Sequence, residues 1–521
     1  MRFSSAKALN VVLVTCAIPL AHAAGPVVQG PESVGDWYKA GQRFIQDSKS
    51  LKRIESRAKN VILFVGDGMG VSTVTAARIL EGQLKGKPGE ENRLFFEDFP
   101  YLALSKTYSW DQQTADSAPT MTAMVTGYKA REGMLSVDHT TARFEGDAAV
   151  LAAKSLPTIL EQAAATGKDT GVVSTARLTH ATPAANYSHT AARDWESDKE
   201  IRDYEAENGL PGGKVNAKDI ARQLIELPET VKRSLKVAMG GGRTYFLPNT
   251  AKDPENNASG RRKDGRDLAA EWISTRGPKA SFVWNKAQFD VVDPAQTDYL
   301  LALFESSHMQ FEADRTHDKA GEPSLSDMTE KAIKLLSKNP KGFYLQVEAG
   351  RIDHAHHAGN AKRALIDTIE FSRAVKKAFE MVGPEETLII VTADHSHTFT
   401  IAGYPHRGNN ILGLVREVPN KDGETPEFKK DRLGLPYTTL AYTNGPGWRD
   451  AVATGVKRPD LSAVDTAGLG YLQEAAIPTE YAETHAGEDV AIYATGPKAH
   501  LVHGSMEQNW IYHVMREAFG F

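Results

Sequence analysis

Three unbroken apolar runs, each closely followed by an acidic residue, set the strongest constraint on the fold of this chain. The runs are NVILFVG (60–66), GFYLQV (342–347) and TLIIVT (387–392), and the acids are Asp67, Glu348 and Asp394. Continuous apolar runs of this length are typical of strands that are buried on both faces of a parallel sheet. Because ligands bind at the carboxyl edge of such sheets, the three acids predict a shared metal site there.

The segments between these runs carry apolar residues at helical spacing. The predicted helices cover residues 72–80, 156–166, 217–226, 327–337 and 361–381. Strands that alternate with helices predict an α/β fold, a three-layer sandwich around a mostly parallel central sheet.

The chain divides into a core, an insertion and a return segment. Residues 51–397 form the first part of the predicted core, and residues 485–521 return to it. Residues 398–484 are rich in Gly, Pro, Asn and other polar residues, which predicts an inserted smaller subdomain. Residues 24–50 include a helical pattern at 36–48 and are interpreted as an N-terminal arm that packs on a partner.

The first 23 residues have the pattern of a secretory signal peptide. Arg2 and Lys7 form a basic start, residues 8–20 are apolar, and Ala21-His22-Ala23 is an A-x-A cleavage site. The apolar run is too short to span a membrane, and no other stretch approaches the roughly 20 residues required. We therefore predict export, to the periplasm or the medium, without a transmembrane anchor. Acylation of Cys16 is the alternative, but Val14-Thr15 lacks the small residue that usually precedes an acylated cysteine.

Charge and cysteine content restrict the partners and the ligands. The chain has 61 Lys and Arg against 66 Asp and Glu, a net charge of −5, so no bulk positive field favours nucleic acid. Its one cysteine, Cys16, lies in the predicted signal peptide. A metal site in the mature protein must therefore use His, Asp and Glu.

Candidate metal ligands are concentrated in three short segments. Glu348-x4-Asp353-x3-His357 places two ligands on one face of a helix, Asp394-His395 follows a strand, and His485 lies in a glycine-flanked loop. Each histidine by itself is more often a hydrogen-bonded structural residue. Together with Asp67 they indicate a metal site.

Three further segments carry residues suited to phosphate chemistry. Ser117 follows Asp116 at the predicted start of a helix, where free N–H groups favour anions, although simple capping by Asp116 and Ser117 is the commoner role of these residue types. A strand at 170–174 leads to His180 and Thr182 at the same sheet edge. Arg193 follows, and a guanidinium there could hold two phosphate oxygens.

Six ordered motifs resemble the alkaline phosphatase family, the animal-type branch more than the enteric bacterial one. They are GDGMGVSTVTAARI, TADSAPTMTAMVTGYKA, HATPAANYSHTAARDW, VEAGRIDHAHH, VTADHSHTF and THAGEDVAIYATGPKAHLVHG. The resemblance runs from about Asp36 to the C-terminus and implies a crown-like character for the insertion and a homodimer, with 36–48 and 398–484 as contributors. The absence of cysteine from the predicted mature chain fits a bacterial exported version.

The resemblance implies a site with two zinc ions and one magnesium ion that hydrolyses phosphate monoesters and releases inorganic phosphate. The implied ligands are Asp353, His357 and His485 for the first zinc, Asp67, Asp394 and His395 for the second, and Asp67, Thr182 and Glu348 for magnesium. Ser117 matches the nucleophile that forms a phosphoserine, and Arg193 matches the phosphate clamp.

The resemblance also extends to two histidines near the phosphate and to part of a calcium site. His180 and His354 match the residues near the magnesium and the phosphate, as in the animal type. Phe304, Glu305 and Glu322 resemble part of a calcium site, but the earlier carboxylate falls near Val215, so calcium is not expected.

Two alternatives remain open from the sequence. One is a phosphodiesterase or sulfatase of the same superfamily, although Ser117-Ala-Pro-Thr-Met lacks the arginine of the sulfatase motif. The other is an inactive protein that binds zinc or phosphate.

Overall fold

A computed structural model describes residues 35–421, 423–448, 458–479 and 481–521. The predicted signal peptide, Cys16 and the start of the predicted arm lie outside these residues. The strands are β1 (Asn60–Gly66), β2 (Tyr101–Lys106), β3 (Asp169–Arg177), β4 (Leu235–Gly241), β5 (Ala280–Val283), β6 (Tyr299–Leu303), β7 (Phe343–Ala349), β8 (Thr387–Ala393), β9 (Ser396–His397), β10 (Phe399–Ile401), β11 (Leu440–Asn444), β12 (Ala475–Ile477), β13 (His485–Ala486), β14 (Val490–Thr495) and β15 (Gly504–Glu507).

The helices lie between the strands and before the first of them. They are α1 (Asp36–Ser50), α2 (Val71–Leu84), α3 (Ser117–Thr126), α4 (Ala148–Lys154), α5 (Ile159–Ala165), α6 (Ala181–Ala184), α7 (Asp198–Glu207), α8 (Ile220–Ile225), α9 (Glu229–Ser234), α10 (Arg243–Phe246), α11 (Leu268–Arg276), α12 (Lys286–Val291), α13 (Leu325–Leu336), α14 (Arg351–His357), α15 (Ala361–Val382) and α16 (Trp510–Phe519).

A ten-stranded sheet forms the centre of the described structure, in the order β15-β2-β14-β8-β1-β7-β3-β4-β6-β5. Strand β14 runs antiparallel to both of its neighbours, and the other adjacent pairs are parallel. The predicted α/β fold with a mostly parallel sheet is therefore confirmed.

The buried side chains form two large apolar clusters, which lie on the two faces of this sheet. Val61, Leu63 and Val65 of β1 belong to one cluster, and Ile62 and Phe64 belong to the other. Successive side chains of a strand point to opposite faces. The unbroken apolar run in β1 is thus explained by helices that cover both faces.

The described part of residues 398–484 contains a separate small sheet. Strands β10, β11 and β12 form it, and the two-residue strand β13 pairs with β9 beside it. The division of the chain into core, insertion and return segment remains a prediction.

Helix α1 has no buried residue, although it carries large apolar side chains. Trp37, Tyr38 and Phe44 are exposed. In the described residues, no helix has both the length and the apolar character needed to cross a membrane.

Candidate metal centre and active site

Four adjacent strands in the middle of the sheet bring the predicted ligands to one edge. Asp394 follows β8, Asp67 follows β1, Glu348 lies near the end of β7, and Thr182 lies just beyond β3. All four side chains are fully buried. The structure thus brings together residues that are up to 327 positions apart in the sequence.

The first group of donor atoms consists of Asp353, His357 and His485. Oδ1 of Asp353 lies 3.3 Å from Nε2 of each histidine, and the two Nε2 atoms are 3.1 Å apart. Zinc–nitrogen bonds of about 2.0–2.1 Å in a tetrahedral site require donor atoms about 3.3 Å apart. The spacing of this group therefore fits a zinc ion.

Hydrogen bonds to the main chain fix the orientation of these two imidazoles. Nδ1 of His357 donates to the carbonyl of Glu483 at 2.5 Å, and Nδ1 of His485 donates to that of Ala115 at 2.9 Å. A neutral imidazole that donates from Nδ1 carries a lone pair on Nε2. Two lone pairs and a carboxylate oxygen therefore converge on one point, which a cation stabilises.

The second group surrounds the hydroxyl of Ser117. Nε2 of His395 lies 3.2 Å from Oγ of Ser117, 3.3 Å from Oδ1 of Asp67 and 3.4 Å from Oδ2 of Asp394. Oγ of Ser117 is 3.4 Å from the same oxygen of Asp67. Four donor atoms at this spacing again fit a tetrahedral zinc site, with the serine hydroxyl at one corner.

The two roles considered for the Asp116-Ser117 segment are filled by different residues. Asp116 is the N-cap of α3, and its carboxylate accepts a hydrogen bond from the main-chain N–H of Ala118 at 3.2 Å. Ser117 is the first residue of the helix, and its side chain points to the second group. The capping residue therefore holds the serine in place without using its hydroxyl.

A third group is marked by oxygens that have no partner in the described structure. Oδ2 of Asp67, Oγ1 of Thr182 and Oε1 of Glu348 are all buried without a hydrogen bond. The other oxygen of Glu348 accepts a hydrogen bond from Ser174. Buried polar atoms are rarely left unpaired, and hard oxygen donors are the ligands that Mg²⁺ prefers. These three residues fit a magnesium ion.

Three carboxyl groups of the centre, those of Asp67, Asp394 and Glu348, are buried where the charged form is disfavoured. Burial, together with the charges of Asp394 and Asp353, raises the pKa of Asp67 well above its usual value. Burial also raises the pKa of Asp394 to about 6 and that of Glu348 to about 7. Burial lowers the pKa of His395 well below its usual value, so this imidazole is neutral and able to ligate. The centre is therefore built to be neutralised by bound cations.

Arg193 lies beside Ser117 and is anchored by the capping residue. Its Nη1 donates to both carboxylate oxygens of Asp116 at 2.6 and 2.5 Å, and its Nη2 donates to Nε2 of His180 at 2.8 Å. Burial raises the pKa of Asp116, but the charges of Arg193 and His485, together with hydrogen bonds from Arg193 and Ala118, lower it by more, so the net pKa is lowered. The guanidinium is thus held next to the serine hydroxyl.

Comparison with known proteins identifies the family of this chain. The sequence model described as alkaline phosphatase matches residues 58–521. The chain belongs to the alkaline phosphatase family. Relatives include the tissue-nonspecific alkaline phosphatase isozyme of Felis catus, 46% identical over 92% of this chain and 88% of that protein, and the alkaline phosphatase of Gadus morhua, 44% identical over 94% and 97%. The chain is accordingly a phosphoric monoester hydrolase, as the sequence motifs predict.

Solved bacterial alkaline phosphatases share the fold. The alkaline phosphatase of the Antarctic bacterium TAB5 is 21% identical and superposes with a TM-score of 0.59. The match covers 90% of this chain and 99% of the TAB5 chain. The alkaline phosphatase of Thermus thermophilus is 23% identical and superposes with a TM-score of 0.60. The match covers 91% of this chain and 93% of the Thermus chain.

Two residues of this alkaline phosphatase that support the first group could not be assigned from the sequence. His397 lies 2.8 Å from Oδ1 of Asp353 through Nε2 and 2.6 Å from Oε2 of Glu483 through Nδ1. Its position two residues after His395 is the signal that could have revealed it. Glu483 likewise lies two residues before His485, but in an irregular loop, where spacing does not indicate which side chains share a face.

Gly68 explains how the chain turns tightly between the two groups. Its φ angle is +64°, and a Cβ atom at this position would lie 2.3 Å from Nε2 of His397. Its N–H donates to Oδ1 of Asp394 at 3.0 Å. A side chain here would disturb both His397 and Asp394.

A separate acidic cluster lies where the resemblance suggested part of a calcium site. Val215 is not part of it, because Val215 packs on Gly146. Glu255 takes part instead. Burial is the main reason why the pKa of Glu305 is raised to about 7, and the charge of Glu255 adds to this effect. Burial and the charge of Glu305 raise the pKa of Glu322 to about 9, and Oε2 of Glu322 is buried without a partner. Glu255 is not among the residues that the sequence motifs indicate for this cluster.

Proposed function

We propose that this phosphoric monoester hydrolase acts through a phosphoserine at Ser117 and uses two zinc ions and one magnesium ion. The observation that carries the proposal is the convergence of donor atoms at 3.1–3.4 Å on two adjacent points, one of which includes the serine hydroxyl. The products are an alcohol and inorganic phosphate.

Each proposed ion has a distinct set of donors. Asp353, His357 and His485 would hold the first zinc, Asp67, Asp394 and His395 the second, and Asp67, Thr182 and Glu348 the magnesium. When bound, such ions act as Lewis acids that lower the pKa of a coordinated hydroxyl or water and stabilise charge on phosphate oxygens.

The chain's own residues then perform two displacements. Oγ of Ser117 attacks phosphorus and loses its proton, while the bond from phosphorus to the ester oxygen breaks and the leaving alkoxide takes a proton from water. Arg193 binds two nonbridging oxygens and holds the phosphoryl group in line. Water then attacks phosphorus, the bond to Oγ breaks, and Ser117 regains its proton as phosphate leaves.

Two histidines support the clamp. His180 accepts a hydrogen bond from Arg193, which orients the guanidinium, and the ring of His354 lies 5.4 Å from that of His180. We assign both residues to positioning at the phosphate and magnesium sites.

The nucleophile is tested by Ser117→Ala, with Ser109→Ala as a control that removes a buried hydroxyl from the preceding loop. We expect a loss of p-nitrophenyl phosphate hydrolysis of at least about a thousandfold in Ser117→Ala, because the covalent route is removed. Zinc content, measured on the same sample, should be retained.

The outcomes separate the alternatives. Undiminished phosphate release in Ser117→Ala contradicts the mechanism. A fully metallated but inactive wild type favours a zinc- or phosphate-binding protein.

The clamp is tested by Arg193→Ala with a monoester and a diester. A dianionic phosphoryl group presents two oxygens to the guanidinium, so we expect monoester kcat/KM to fall by about a hundredfold and diester kcat/KM to fall much less. Equal losses on p-nitrophenyl phosphate and bis-p-nitrophenyl phosphate would argue against a monoesterase.

The acidic cluster of Glu255, Glu305 and Glu322 offers a fourth cation site, for which we propose calcium. Three carboxylates with raised pKa values and one unpaired buried oxygen suit a hard cation with oxygen ligands. Equilibrium dialysis against calcium should show one site that Glu255→Gln removes.

We also propose a homodimer and export. The exposed apolar side chains of α1 would be covered by a second copy, and residues 398–484 would contribute to the same contact. Sedimentation of the protein with and without residues 24–50 tests the dimer. N-terminal sequencing of the secreted protein, expected to begin at Ala24, tests export, cleavage and the acylation alternative.

A further inference from the structure

Three arginines contact the imidazoles of His180, His308 and His354 beside the proposed clamp. Arg193 is paired with Asp116, and Arg177 donates from Nε to both oxygens of Glu196 at 3.2 and 2.8 Å. Arg351 forms no ion pair within the described part of the chain, although the charges of Asp367 and Glu322 act on it at longer range. Its guanidinium lies 3.8 Å from the ring of Phe311, and its Nε is buried without a hydrogen-bond partner.

The histidines next to Arg351 present hydrogens rather than lone pairs. Nη1 of Arg351 donates to Nδ1 of His354 at 3.0 Å, and the main-chain N–H of Arg177 donates to Nδ1 of His308 at 3.1 Å. A neutral imidazole that accepts at Nδ1 carries its hydrogen on Nε2. Both imidazoles therefore carry an N–H donor at Nε2, and His354 is the one in direct contact with Arg351.

These imidazole and guanidinium groups are packed into one small cluster. The rings of His308 and His354 are 4.1 Å apart, and one ring nitrogen from each of His180, His308 and His354 lies within 4.8 Å of the others. Nε2 of His308 contacts Nη1 of Arg177, and Nδ1 of His354 contacts Nη1 of Arg351. Two cationic guanidinium groups therefore border the imidazoles, an arrangement that favours an anion.

The cluster borders the proposed phosphate clamp. His180 accepts from Arg193 and its ring lies 5.3 Å from that of His308. Arg351 and His354 lie on α14, the short helix that also carries Asp353 and His357. An anion bound here would sit beside the first group of donor atoms.

We propose that Arg351, His354 and His308 form a second anion subsite that binds a carboxylate or phosphate next to the reacting phosphoryl group. The inference rests on the proposed function, since it requires the phosphate at Arg193. The anion can belong to the leaving group of the ester or be free inorganic phosphate. A leaving group with an acidic substituent would be recognised at both ends, which would favour phosphorylated acids and bisphosphates over neutral alkyl phosphates.

The test compares two substrates of similar shape, ethyl phosphate and 2-phosphoglycolate, which differ by a carboxylate on the leaving group. We expect kcat/KM of the wild type to be about tenfold higher for phosphoglycolate, because one charge-assisted contact is added. The variants are His308→Asp, which supplies a carboxylate to Arg351, and His308→Asn, its neutral match.

The variants separate charge from shape. His308→Asp should lower kcat/KM for phosphoglycolate by about tenfold and leave ethyl phosphate within about twofold, whereas His308→Asn should lose much less. Thermal unfolding and zinc content of both variants establish that folding and metal binding are intact. Absence of ethyl phosphate turnover in the wild type would refute the proposed function, not the subsite.

Further outcomes identify the anion. Equal use of both substrates, together with inhibition by two inorganic phosphate ions that His308→Asp reduces to one, assigns the subsite to free phosphate. Equal use of both substrates with simple competitive inhibition overturns the proposal. An additional zinc ion that binds to the wild type and is lost in His308→Asn also overturns it, since the three imidazoles would then be metal ligands.

Discussion

The metal centre and the buried ion pairs around Arg262 and Arg243 both remove charges from water, but they balance them differently. Arg262 is fully buried and donates to both oxygens of Asp219 at 2.9 and 3.1 Å. Arg243 does the same with Asp253 at 2.6 and 2.9 Å. At the centre, by contrast, Asp67, Glu348 and Thr182 each keep a buried oxygen without a partner.

The difference shows which buried charges are neutralised by the chain and which require an ion from solution. A buried carboxylate with a guanidinium partner is neutralised by the chain itself, so its stability depends on folding alone. A buried carboxylate without one depends on an ion from solution. Stability in the two regions should therefore respond to different changes.

Removal of metal should have the largest effect and should act on the centre alone. Chelation is expected to reduce activity by at least about a thousandfold, because the serine hydroxyl is a weak nucleophile without a Lewis acid. Activity should return with zinc plus magnesium, measured with p-nitrophenyl phosphate. Recovery with magnesium alone would contradict the proposed zinc groups.

Asp219→Asn should have the largest effect on stability outside the centre. It leaves the charge of Arg262 buried with Asp264 as its remaining close carboxylate, so the loss should stay below the about 3–5 kcal/mol of unfolding free energy that breaking an isolated buried pair costs. Asparagine keeps the side-chain oxygen that caps α8 through the N–H of Arg222. Denaturant unfolding measures the loss, and zinc content and activity of the folded protein should not change.

Asp394→Asn should increase the unfolding free energy of the metal-free protein, whereas Asp219→Asn should decrease it. The pKa of Asp394 is raised by burial from 3.8 to about 6, so this carboxyl stabilises the fold below pH 4 and loses that contribution as pH rises through 6. At pH 8, asparagine should therefore stabilise the metal-free protein by about 3 kcal/mol, and at pH 4 it should not. Destabilisation of the metal-free protein at both pH values would show that Asp394 is balanced internally.

Proton release on metal binding is the smallest expected effect. Glu348, with a pKa of about 7, holds part of a proton at pH 7 in the metal-free protein and must lose it to bind a cation. Titration calorimetry in two buffers of different ionisation enthalpy should detect roughly half a proton released from Glu348 at pH 7 and less at pH 9. Equal release at both pH values would show that other groups supply the proton.

The sequence predicts the fold and the candidate residues where local pattern and chemistry coincide. The run from Asn60 to Gly66 predicts β1 with the bounds that the structure has, because burial on both faces leaves no polar residue after Asn60. The acids after the runs were expected to meet because neighbouring parallel strands end at one edge. The motifs then indicated a role for each residue, and those roles remain proposals.

Contacts between distant loops could not be predicted in this way. Glu255 reaches Glu305, and Glu483 reaches His397, from loops that carry no periodic pattern. His308 has an ordinary surface context in the sequence, and its place beside His354 depends on how the loop after β6 packs against α14. Such pairs are set by tertiary packing, which local patterns do not encode.

The pairing of β13 with β9 brings to the first group a donor that is synthesised much later than the other two. His485 is 128 residues beyond His357, so at about 5–20 residues per second the ribosome adds it roughly 6–26 seconds later. Asp67, Ser117, Asp394 and His395 are all synthesised before that interval ends. A nascent chain halted between residues 395 and 485 thus carries every donor of the second group but only two of the three donors of the first.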